Sequence, residues 1–154
     1  MTEVDRIARL LEKTFEKQPW YGSSIMEILK SVKPELASQR VGDAHAINEL
    51  VEHMISWREF ATRRLLGDDA FDVNDRTNFP VSASWQETLS KLQHSQEALM
   101  RAVRQFPSER LEEPVPSNRF RYTFYTLLHG IIQHDIYHLG QIALLNKVIE
   151  SKGM

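Results

Sequence analysis

Residues 127–149 read LLHGIIQHDIYHLGQIALLNKVI, and this stretch constrains the fold more than any other. At about 100° per residue from Ile131, the side chains of Leu127, Ile131, His134, His138, Gln141, Ile142, Leu145 and Ile149 share a stripe about 100° wide. That is the pattern of a helix facing a core. From Tyr122 to Asn146 only Asp135 carries a formal charge, so the run needs weighing as a membrane span. His129, Gln133, His134, His138 and Gln141 are too many polar groups for lipid to accept. A buried helix from about Tyr122 to near Glu150 is the reading.

Working outward, the other segments also carry helix-start signals, and β-hairpin signals are absent. Thr2-x-x-Asp5 opens a first helix with Val4, Ile7, Leu11 and Phe15 at helical spacing, broken by Pro19-Trp20-Tyr21-Gly22. Ser24-x-x-Glu27 has capping-box form and predicts a short helix through Leu29. Pro34 to Gly42 reads as a turn. Asp43 is the candidate cap of a second long helix to about Leu66, ended by Gly67, with Ile47, Leu50, Met54, Ala61 and Leu65 on its apolar face. Asp68 to Ser82 has no clear period. Ser84-x-x-Glu87 caps a third long helix carrying Trp85, Leu89, Leu92, Leu99 and Val103, and Pro107 ends it. Together these predict an all-α fold, a four-helix bundle with a short extra helix.

The chain has 154 residues, which predicts one domain over 1–154. It contains no cysteine, which excludes disulfides, iron–sulfur ligation and a catalytic thiol of its own. Nineteen Lys plus Arg against 21 Asp plus Glu argue against a nucleic-acid partner. Met1-Thr2-Glu3-Val4-Asp5 carries acid where a signal peptide carries base, so a cytoplasmic location and no membrane partner are expected.

Six histidines remain to be sorted. His134 and His138 are i,i+4 neighbours on the inward stripe, a spacing at which two imidazoles can chelate one ion. The plain alternative is two core histidines satisfied by hydrogen bonds. His53 lies on the flank of the second helix, one turn before Trp57. It completes a three-nitrogen set typical of an open metal site, or else packs under Trp57. His45, eight residues before His53, would stand about 12 Å away along a helix and cannot share its ion. His94 reads as a surface residue and His129 as a packing or hydrogen-bonding residue. Asp135 stands where the zincin motif has its general base, but it is shorter and the downstream third ligand is missing. A supporting contact to the histidine site or a structural salt bridge suits it better, with the structural role preferred. Gln141 could touch a ligand or bridge to backbone. Trp57 and Tyr137 read as core, Arg119 and Arg121 as surface charges, and the aspartates at 68, 69, 72 and 75 as a solvated loop rather than a calcium site.

Two of these segments resemble the motifs of the DinB/YfiT-like superfamily. They are Val41 to Arg58, with the sequence VGDAHAINELVEHMISWR, and Leu128 to Ile142, with LHGIIQHDIYHLGQI. The resemblance extends over nearly the whole chain. It implies a four-helix bundle in which His53, His134 and His138 bind a divalent metal ion, zinc or nickel foremost, with iron or copper also accommodated. It further implies a homodimer, and for some members thiol S-transfer with bacillithiol or mycothiol-dependent isomerisation. The expected function is a metal-dependent thiol S-transferase, its partners a small-molecule thiol and an electrophile. A metal-dependent hydrolase using metal-bound water, or a stress-response module with a structural metal, are the alternatives.

Overall fold

The computed structural model describes residues 1–81, 84–119 and 121–153. Among the described residues six α-helices follow in order: α1 (Glu3–Glu16), α2 (Ile25–Ser31), α3 (Ile47–Leu65), α4 (Asp75–Asn78), α5 (Trp85–Gln105) and α6 (Phe124–Lys152). One-turn 3-10 segments occur at Pro34–Leu36 and Ser108–Arg110. The four long helices form the bundle, with α3 packed against α5 and α6, and α1 against the same two from the other side. No strand is present among the described residues, only an isolated bridge between Pro114 and Thr123 at the start of α6. None of the helices among them is long and apolar enough to cross a membrane.

The caps form where short polar side chains precede an apolar run. Thr2 and Asp5, Ser24 and Glu27, and Ser84 and Glu87 each close a reciprocal box at a helix N-terminus. In the second box the Ser24 side chain is buried while Glu27 is exposed, so the N–H groups on the Ser24 side are shielded from water. Ser24→Ala should therefore lower stability by about 1–2 kcal/mol, read as a drop in the urea midpoint without a change in slope. Gly67 adopts φ +86° just beyond α3, a left-handed conformation that only glycine takes without strain, and it ends the helix as expected.

Four readings need correction here. Asp43 does not cap α3. The helix begins four residues later, at Ile47, with the Glu49 carboxylate accepting the Ala46 backbone N–H at 2.7 Å. The connection from Asp68 contains a further turn of helix, α4, because Asn74 accepts from the N–H groups of Arg76 and Thr77. Its far end, at Ser82, lies outside the described residues. Tyr137 is not core but 65% exposed. The buried face of α6 keeps Leu127, Ile131, His138, Ile142 and Ile149 of the stripe read in sequence, but adds Leu128, Ile132, Asp135, Leu139 and Asn146, so its centre lies roughly 60° further round. The helix is covered by α1, α2 and α3, so its buried arc is broader than one apolar stripe. The rotation leaves His134, Gln141 and Leu145 at the rim.

The core has two apolar halves. One contains Leu11, Phe60, Leu99, Val103, Leu128 and Ile131, the other Phe15, Ile25, Met54, Leu92, Leu139 and Ile142. On α3, α5 and α6 the residues between these halves are polar: Arg58, Gln96 and Asp135. Arg58 donates to Asp135 Oδ2 at 2.6 Å and to Gln96 Oε1 at 2.5 Å, with Arg58 and Asp135 each 1% exposed. His134 occupies the same level of α6, immediately before Asp135.

Candidate metal centre

His53 projects from the middle of α3, and His134 and His138 from successive turns of α6. Their ring nitrogens lie within 4.8 Å of one another. His134 Nε2 is 3.0 Å from His53 Nε2 and 3.2 Å from His138 Nε2. Tetrahedral coordination at about 2.0–2.1 Å per bond places ligand nitrogens about 3.3 Å apart, so this spacing suits a first-row divalent ion.

The opposite ring nitrogens determine what the converging ones present. His53 Nδ1 is 2.7 Å from the backbone oxygen of Asn78, which can only accept, so the proton sits on Nδ1 and Nε2 carries a lone pair. His138 Nδ1 donates in the same way to Gln141 Oε1 at 2.6 Å. His134 Nε2 has one hydrogen at most to share between two such neighbours. At least one of the two close contacts therefore sets lone pair against lone pair. A cation among the three removes that repulsion, and outer acceptors that orient ligand imidazoles are the usual companions of a metal site.

Burial keeps all three rings uncharged. Desolvation pushes His134 down to about 3, aided by the neighbouring His138 and His53 and by Arg58. Desolvation also lowers His53 and His138 below the ordinary histidine value. Neutral imidazole is the form that ligates.

The remaining histidines lie outside the cluster. His94 is exposed, with Nδ1 2.7 Å from the Ser90 carbonyl on its own helix. His129 packs against Tyr125 with centroids 4.3 Å apart. His45 differs from expectation. It precedes α3 rather than lying on it, and its ring stacks on Phe79 at 3.9 Å, while Phe79 stacks on His53 at 4.2 Å. Phe79 thus separates His45 from the cluster. Asp135 is the salt-bridge residue anticipated, paired with Arg58. Arg119 donates to the Val73 carbonyl at 3.1 Å.

Asn78 and Phe79 were not foreseen as site residues. Asn78 supports the site twice, through its carbonyl to His53 and through Oδ1, which accepts from Trp57 Nε1–H at 2.9 Å. No periodicity marks them, because they close a single helical turn and act through a carbonyl, an amide oxygen and a ring face. A cavity of about 440 Å³ opens beside the cluster, with His53 and His134 in its wall together with Trp57, Tyr122, Gly130 and Ile131.

Compared with known families, residues 23–142 match the family model of the DinB superfamily. No curated protein and no solved structure matches the chain.

Proposed function

The chain belongs to the DinB superfamily, and on that footing we propose that it is a metal-dependent enzyme joining a low-molecular-weight thiol to an electrophile. One observation carries the reading: three neutral imidazoles converge through Nε2 beside an open cavity, leaving room for further ligands. A divalent cation held there by His53, His134 and His138 would supply the charge that makes a thiol ionise at neutral pH. The chain has no cysteine, so the thiol is a co-substrate. In the transfer the thiol loses its proton to solvent, its sulfur forms a bond to the electrophilic carbon, and the leaving group departs with the bonding pair. The protein's part is to hold the histidine rings rigid. Asn78 and Gln141 fix two of them through Nδ1, and Trp57 is fixed in turn by Asn78.

Zinc-loaded protein should consume a chlorodinitrobenzene-type electrophile only when a small thiol such as cysteine is added. Treatment with a chelator should return the rate to that of the buffer. Turnover of an ester with no thiol present would replace this reading with hydrolysis.

A further inference from the structure

We propose that the cavity beside the histidines is the electrophile's chamber, and that it selects uncharged, aromatic or otherwise apolar small molecules. The inference rests on the metal-dependent reading above and names its substrate class. Among the described residues in the chamber wall, none is an aspartate, glutamate, lysine or arginine. The other large cavities differ in this respect. One is lined by Arg9, Glu12, Lys13, Glu16 and Lys17, another by Glu52, Glu59, Arg63 and Lys91, and neither reaches a cluster histidine.

Leu127 and Ile131 supply buried aliphatic wall, and Trp57 and Tyr122 supply aromatic surface. The Trp57 Nε1–H is already given to Asn78, so the indole offers its ring rather than a donor. Trp57 and His134 stand 6.2 Å apart edge to face, so a ring lying on the indole is next to the converging nitrogens. A cationic ligand entering this wall would lose hydration, meet no carboxylate and face the divalent cation that the histidines would hold, whereas an uncharged apolar one gains from leaving water.

Gly130 enlarges the chamber on the α6 side. A Cβ built there meets nothing within 4 Å, so a larger side chain occupies chamber space without a clash. In a helix interior that replacement also favours the fold. The position therefore separates chamber volume from folding and from the metal site.

The test is equilibrium dialysis of the zinc-loaded full chain, without thiol, against a neutral chloronitrobenzamide and the corresponding (chloronitrobenzyl)trimethylammonium ion, which cannot ligate zinc. The amide should bind at least about tenfold more tightly than the quaternary ammonium ion. Gly130→Leu should weaken amide binding at least about tenfold while zinc content per chain stays at the parent value. Thr126→Phe, at an exposed position on the chamber rim, should act in the same direction and serves if Gly130→Leu does not fold. Equal binding of amide and quaternary ammonium ion, or amide binding untouched by a folded chamber variant, overturns the proposal. A parent that holds no zinc but binds the amide, and loses it on Gly130→Leu, overturns the metal-dependent reading and leaves the chamber standing.

Discussion

His134→Ala should reduce zinc content from about one ion per chain to below about a tenth of that, with far-UV circular dichroism unchanged. His134 Nε2 is the middle member of the cluster, 3.0 Å and 3.2 Å from its neighbours, so its removal leaves two donors and a gap between them. The bundle should survive because His134 sits at the rim of the buried face of α6, away from the aliphatic residues that hold the halves of the core together. His53→Ala and His138→Ala should lose metal similarly. His94→Ala and His129→Ala should keep it, since their rings contact Ser90 and Tyr125 instead. His45→Ala should also keep it, because Phe79 stands between that ring and His53. Full metal in His53→Ala together with loss in His45→Ala would show that the third ligand has been misassigned.

Arg58→Met should destabilise the protein by about 3–5 kcal/mol in urea unfolding, the largest stability effect expected of any single replacement here. The guanidinium is sealed between the two apolar halves of the core, donating to Asp135 and Gln96 and lying 5.2 Å from the Phe15 ring centroid. Burial already pushes the Asp135 carboxyl above the ordinary aspartate value, opposed by Arg58. Without Arg58 the carboxyl would be left buried with no counter-charge. Arg58→Met combined with Asp135→Leu should recover most of the loss, because removing both charges also removes the desolvation penalty. A single variant that unfolds within about 1 kcal/mol of the parent would contradict this account of the pair.

Sequence periodicity revealed the bundle because each long helix carries an apolar face of its own. Val4, Ile7, Leu11 and Phe15 on α1, and Leu92, Leu99 and Val103 on α5, are buried as their spacing required. The capping boxes were legible for the same local reason: donor and acceptor lie three residues apart. The i,i+4 pairing of His134 and His138 needs nothing beyond helix geometry. Arg58 was legible too and was passed over. It falls roughly 20° from Ile47 around α3, in the middle of the apolar face, where a charge requires a buried partner.

The amino-acid sequence by itself thus determined the helices, their inward faces and one edge of the histidine cluster, all set by interactions within a few residues. The tertiary structure decided the rest. His53 stands roughly 120° from Ile47 around α3, a flank that would face solvent on an isolated helix. It is buried because Asn78 and Phe79, at the C-terminal end of α4, cover it, and its converging lone pair is set by a carbonyl 25 residues away. His45 is held off the cluster by the same Phe79 ring, and not by distance along a helix. The cavity exists only where α3, α4 and α6 meet, with Trp57, Asn78 and Gly130 drawn from three segments. Such long-range placement follows from how the helices pack, and the pattern of residues along any one helix does not contain it.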